Sequence, residues 1–355
     1  VKKTFITSLT AVLFIAGCSS GSGQGDMSEG AVSEQEIETV AENLEIPWSI
    51  DHQDDTFYIT ERTGSIVKVE GDQAERQNVE LEEELATAAE AGLLGFVLAP
   101  DFQESQMAYA YYTYENDDGQ FNRIVTLRLE NGVWTEEDLL LDEIPSGNVH
   151  HGGRLKMGPD DKLYATAGDA ANVDLAQEID SLGGKILRLN LDGSVPDDNP
   201  FPDSYVYSYG HRNPQGLTWS PDGTMYASEH GNSSNDEINE IEAGQNYGWP
   251  IIEGDQEQDD MVSPLFTSGD DSTWAPSGMG YYDGKVYVAS LRGTAVLEFD
   301  PATNEQRTFV SGLGRIRDLF IEGDTLYFVS NNTDGRGNPE AGDDKLYSVS
   351  LTSSE

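Results

Sequence analysis

Six times between Trp48 and Asn332 the sequence returns to one short pattern: an apolar alternation, a turn built from Pro, Asp or Gly, and a second alternation around a tyrosine. The copies are "WSIDHQDDTFYIT" from Trp48, "GFVLAPDFQESQMAYAYY" from Gly95, "GRLKMGPDDKLYATAGD" from Gly153, "GLTWSPDGTMYASEHG" from Gly216, "GMGYYDGKVYVASLRG" from Gly278 and "DLFIEGDTLYFVSNN" from Asp318. Each reads as two antiparallel strands joined by a tight turn. A further short strand follows each: "SIVKVEG", "IVTLRLENG", "KILRLNLDG", "DEINEIE", "AVLEFDP" and "KLYSVSL". Recurrence at roughly 40 to 60 residues, with three or four strands per unit, predicts an all-β fold, a six-bladed β-propeller with a central site. A two-sheet sandwich fits less well because sandwiches lack a repeat of this length. Only "ELATAAEAG", ending at Gly92, reads as helical.

The repeat gives the loops an address. In a propeller the first strand of each blade runs along the central channel, so the loops leading into those strands gather at one mouth. Here they carry Glu90, His150 with His151, His211-Arg212-Asn213, Trp274, and Arg315 with Arg317. Loops leaving the second strands reach the same face with Asp169, His230-Gly231-Asn232 and Arg292. Four of the chain's five histidines and several of its scarce arginines thus converge. The chain holds 65 Asp and Glu against 20 Lys and Arg, a formal charge of −45, so it lacks the basic footprint that nucleic acid requires. A cationic ring inside such an anionic shell selects a ligand bearing carboxylates. The competing reading pairs each arginine locally with an acid, and would pair Arg317 with Asp318 in "RIRD".

The N-terminus sets Lys2-Lys3 before an apolar run, Phe5 to Gly17, and then Cys18, the only cysteine. Residues 1–17 read as an export signal, and "IAGC" resembles a bacterial lipobox that makes Cys18 a lipidated membrane anchor outside the cytoplasm. With one cysteine no intramolecular disulfide forms. The Ser, Gly and Glu of residues 18–39 read as a flexible tether, leaving 40–355 as the propeller.

"AGLLGFVLAPDF", "HHGGRL", "YGHRNPQGL", "SEHGNSSNDEIN", "NYGWP", "APSGM" and "GRIRD" occur in that order. Together they resemble the successive motifs of the soluble pyrroloquinoline quinone (PQQ)-dependent aldose sugar dehydrogenases. The resemblance implies PQQ and a calcium ion at the central face, and oxidation of aldoses at the anomeric carbon to lactones with hydride transfer to PQQ. It makes His150, opening "H-x-x-G-R", the general base, with His151 at a variable position. It assigns Arg212, Asn213, Arg315 and Arg317 to the cofactor, with Trp274 beside them, and the carbonyls of Gly231 and Asn232 to calcium. Glu90 stands where the family commonly has glutamine, Arg292 where it has lysine, Asn232 where it has proline, and Val149 where an acidic or amide residue often precedes the base. The residue types suit the chemistry, since an imidazole near neutral pKa can take a hydroxyl proton and a hard cation polarises a quinone carbonyl. Two other classes stay open from sequence: a calcium-dependent propeller hydrolase of lactonase type, and a non-enzymatic surface lipoprotein. No motif names the preferred sugar, the electron acceptor or the oligomeric state.

Self-repulsion among so many carboxylates is relieved by screening, so the composition reads as adapted to a salt-rich habitat. The melting temperature should therefore rise by on the order of 5 °C between dilute and molar salt, and a flat or falling profile by scanning calorimetry would refute that haloadapted reading.

Overall fold

The structure, a computed structural model, describes residues 36–86 and 89–352; the export signal and Cys18 lie outside the described residues. The chain folds almost entirely into antiparallel meanders. The first comprises β2 (Pro47–Gln53), β3 (Thr56–Glu61), β4 (Ser65–Glu70) and β5 (Gln73–Glu80), preceded by β1 (Glu38–Ala41). The second is β6 (Leu93–Leu98), β7 (Met107–Asn116), β8 (Gly119–Glu130) and β9 (Val133–Pro145). The third is β10 (Leu155–Met157), β11 (Leu163–Ala167), β12 (Lys185–Leu189) and β13 (Val206–Tyr209), and the fourth β14 (Pro214–Trp219), β15 (Met225–Glu229), β16 (Glu237–Ile241) and β17 (Phe266–Thr267). The fifth runs through β18 (Pro276–Tyr282), β19 (Lys285–Ser290), β20 (Ala295–Asp300) and β21 (Glu305–Ser311), and the last through β22 (Ile316–Glu322), β23 (Thr325–Ser330) and β24 (Leu346–Ser350).

Burial explains why the hairpins were readable. First strands lie between neighbouring meanders and are apolar on both faces, as in the wholly buried Leu93–Leu98. Outer strands face water and carry charge, as in "QAERQNVE" of β5. The turn between β18 and β19, Asp283-Gly284, has φ of 45° and 82°, the left-handed pair that a two-residue hairpin requires. All six hairpins and all six following strands form where the repeats place them.

Among the described residues the sheets number five. Four are four-stranded, and the first two meanders join into one eight-stranded sheet because β5 and β9 pair in parallel along their outer edges. β1 pairs with β24, so the N-terminal strand completes the last sheet. This moves the start of the folded part to Glu38, two residues inside the expected tether. The helical reading of Glu84–Gly92 is also corrected: Leu85 bridges Tyr114 and Ala89-Glu90 form a turn. Helix instead forms as single turns at α1 (Phe102–Ser105) and in a 3-10 segment, Val173–Gln177, both too short to leave a periodic signal.

Each first strand packs against the first strand of the next meander, and β22 packs against β2. At their centre Arg154, fully buried, donates from Nη1 to Asp318 Oδ2 at 2.8 Å and to Ser49 Oγ at 3.2 Å, and from Nε to the Gln215 carbonyl at 2.8 Å. Its guanidinium lies 4.2 Å over the Trp48 ring, and Asp318 Oδ2 also accepts the Ile50 amide at 2.8 Å. Asp318 therefore pairs with the third meander and not with neighbouring Arg317, against the local-pairing reading.

Removing one partner of this pair strands a charge in the core. Arg154→Met should cost about 3–5 kcal/mol, and adding Asp318→Asn should recover part of it, as read by denaturant unfolding. A double variant no more stable than Arg154→Met would show that the uncompensated charge is not the cause.

Candidate active site

His150 precedes β10 in the left-handed backbone region, φ 65°. The chain returning from β11 passes so close that a Cβ on Gly168 would lie 2.0 Å from the His150 carbonyl oxygen, so that position must be glycine. This contact sets Asp169 against the imidazole, with Nδ1 2.7 Å from Oδ1. Asp169 is fully buried and accepts also from the Ala171 amide at 2.8 Å and from Trp249 Nε1 at 2.9 Å. A carboxylate already accepting two donors takes the imidazole N–H as a third, so in the neutral ring Nδ1 donates and the lone pair falls on Nε2. His150 is held in one tautomer and lines an open cleft of about 310 Å³.

Arginines line the same cleft. Arg212 lies 5.3 Å over the Trp249 ring and donates to the His230 carbonyl at 3.3 Å. Arg315 meets Asp334 at 2.8 Å. Arg317 lines a narrow extension of about 20 Å³, room for one water, where its Nη1 donates to Gln215 Oε1 at 2.9 Å. Burial first, then Arg315 and Arg62, pull the Arg317 guanidinium down to about 9. The Nε atoms of Arg212, Arg315 and Arg317 are all buried without a hydrogen-bond partner. Buried donors left open in this way fit a multiply charged anion, and the residues present are therefore compatible with a tricarboxylate cofactor.

The other expected residues separate. His151 is buried, its Nδ1 3.0 Å from Ser146 Oγ, and burial drives its pKa down to about 4, so it lines the extension as a neutral group apart from His150. His230, between the two spaces, is pulled down to about 4 by burial, against the pull of Asp236 and Glu90. Arg292 stands exposed on the rim, without an ion pair among the described residues. Two placements differ from expectation. The Trp274 ring packs into the core against Phe299, and its neighbours Thr273 and Ala275 line the cleft instead. Asn213 is buried behind the wall, its Oδ1 accepting the Gly152 amide at 3.0 Å. Gly231 and Asn232 do line the cleft; their amides are held by Asp236 at 3.0 Å and Glu253 at 2.5 Å, and among the described residues their carbonyls accept no hydrogen bond.

Three contributors escaped the sequence. Asp236, inside the quoted "DEIN", binds Thr273 Oγ1 and the amides of Gly231, Trp274 and Ala275, fastening two walls together. Trp249, inside "NYGWP", orients Asp169. Arg336 lies in a stretch without any motif, yet its Nη1 is 2.7 Å from Glu90 Oε1. Burial would raise the Glu90 carboxyl, but Arg336, the His150 amide and His230 together hold it at about 2.

The profile of the glucose/sorbosone dehydrogenase family matches residues 44–338. The chain belongs to that family. It is 38% identical over 241 residues to the quinoprotein glucose dehydrogenase B of Acinetobacter calcoaceticus, a match covering 58% of this chain and 50% of the relative, so the chain spans about half that relative's length. It is 28% identical over 339 residues to the aldose sugar dehydrogenase YliI of Escherichia coli, covering 84% of this chain and 91% of that one. The PQQ-bound aldose sugar dehydrogenase from Streptomyces coelicolor superposes with a TM-score of 0.83 at 35% identity, over 90% of this chain and 98% of that one.

In this family member the cleft rests on a buried acidic pair. Glu229 and Glu237 are cross-strand neighbours. Glu229 accepts from His211 Nδ1 at 2.8 Å and from the Arg212 amide, fixing the backbone beneath that arginine. Glu237 accepts the Gly254 amide at 2.9 Å, and burial, then Glu229, push it up to about 8. A carboxyl raised in the folded state contributes stability that is complete below its ordinary range and is lost as pH rises through 8. Glu237→Gln should abolish that loss, gaining about 2 kcal/mol on wild type between pH 5 and 8.5. Parallel melting profiles of the two proteins across that range would contradict it.

Proposed function

We propose that this chain is a PQQ- and calcium-dependent aldose sugar dehydrogenase, oxidising its substrate at the anomeric carbon to a lactone. The observation that carries this reading is one cleft which, with its narrow extension, combines a His150–Asp169 pair with three arginines whose buried Nε atoms lack partners. On this reading the eight-stranded sheet counts as two blades joined at their edges, giving six. The same reading includes export and tethering through Cys18, which rests on "IAGC" alone.

What is supplied from outside the chain, when bound, is a hydride-accepting quinone with a hard cation beside it. The chain's part is to bind, orient and move one proton. Arg212, Arg315 and Arg317 hold the carboxylates of the cofactor, Arg292 adds charge at the rim, and the carbonyls of Gly231 and Asn232 offer the oxygen ligands that calcium prefers. His150 Nε2 takes the anomeric hydroxyl proton as hydride leaves the same carbon. Asp169 holds the neutral ring in the tautomer that leaves the lone pair on Nε2 and stabilises the imidazolium that forms afterwards. The neutral His151 and His230 add no competing charge to the wall.

Reconstitution with PQQ and calcium should yield sugar-dependent dye reduction, and its absence in fully loaded protein would overturn the reading. His150→Ala should still take up PQQ while turnover falls by about two to four orders of magnitude. His151→Ala should leave turnover within a few-fold of wild type; a reversed result would make His151 the base.

A further inference from the structure

Glu90 sets a problem for a cleft built to hold a polyanion. Its carboxylate lines the wall beside His150, accepting the His150 amide on Oε2 at 3.2 Å, and its neighbours favour the charged form. Left alone, it would repel the ligand that the arginines attract.

The C-terminal loop answers that charge. Arg336 Nη1 sits 2.7 Å from Glu90 Oε1, the one ion pair Arg336 makes among the described residues. Two positions earlier Asp334 holds Arg315 at 2.8 Å, and its other oxygen accepts the Arg336 amide at 2.9 Å. Gly335 between them adopts φ 83°, a turn conformation that glycine enters freely. Asp334-Gly335-Arg336 thus places an acid on one arginine of the cleft and a base on its one misplaced acid. Arg336 is 45% exposed and lines both the cleft and its narrow extension, so the pair lies at the ligand-facing surface.

Resting on the reading that this cleft takes PQQ, we infer that Arg336 is a cofactor-affinity residue: paired with Glu90 it cancels the carboxylate's charge, and its remaining N–H groups face the bound anion. Glu90 and Arg336 act as a unit that does the work of an uncharged hydrogen-bonding side chain. The effect of changing either residue then depends on the other. Loss of Arg336 exposes a negative charge to the cofactor, whereas loss of both removes the charge together with its counterion.

The test is a double-variant cycle on calcium-loaded protein titrated with PQQ, followed by quenching of tryptophan fluorescence. Arg336→Ala should weaken PQQ binding by about 10- to 100-fold. Glu90→Gln should bind at least as tightly as wild type, and Glu90→Gln/Arg336→Ala should recover most of the loss. An affinity of Arg336→Ala equal to wild type, or a double variant as weak as Arg336→Ala, overturns the inference. Melting temperatures taken without PQQ identify a merely structural defect, which would lower both Arg336 variants alike and leave the affinity loss unrescued; that pattern also overturns it. Wild type that takes up no PQQ refutes the functional reading, and this inference with it. Uptake by wild type with Arg336→Ala unchanged refutes this inference alone.

Discussion

The buried pair of Arg154 with Asp318 is the constraint on which the rest of the structure depends. Through Ser49, Ile50, Gln215 and the two charged residues it ties together the first strands of four meanders or the residue just ahead of them. The fifth meander approaches so closely that a Cβ on Gly278 would lie 1.7 Å from Asp318 Oδ1. A charge pair sealed from water is worth little in net stability and is expensive to break. Its effect here is registry: a first strand shifted along its length would leave a charge or a carbonyl unpaired at the centre.

That registry places the loops, and the loops place the chemistry. Arg315 and Arg317 flank the first residue of β22, and Asp318 follows them by one position. Fixing Asp318 to Arg154 therefore leaves Arg317 directed at Gln215 and Arg315 at the cleft. The consequence is electrostatic. In a chain of formal charge −45 the cleft and its extension gather guanidinium groups whose carboxylate partners among the described residues are either absent, as for Arg317, or shared out by the C-terminal loop. Burial keeps His151 and His230 neutral, so cationic charge in the cleft comes from arginine, which keeps its proton at neutral pH.

The hairpins were legible because strand alternation and turn chemistry are local properties, repeated six times. The separation of the two histidines was legible too: His150 and His151 differ by one position, and the glycine-rich backbone after them turns one side chain to the cleft and seals the other. Misreadings arose where local composition and tertiary context disagree. Glu84–Gly92 is rich in helix formers, yet Leu85 is taken into a bridge with Tyr114. Glu38 and Thr39 read as the end of a polar tether until β24 offers their strand an edge to pair with. Trp274 belongs to a loop at the cleft, but a large apolar ring finds more contact against Phe299 than at a wet wall.

By itself the sequence determined the all-β meanders, the face on which the loops gather, the excess of carboxylates and the histidine that opens the site. These follow from periods of two residues, turns of two residues and net composition, none of which needs a distant partner. Only the tertiary structure decided which acid neutralises which arginine: Asp318 with Arg154, Asp334 with Arg315, and Glu90 with Arg336. The Arg154 and Glu90 pairs join residues far apart in the chain, and even Asp334 reaches Arg315 only across a hairpin. An ion pair is set by separation in space and by the water excluded around it, and both quantities exist only once the ring of sheets has closed.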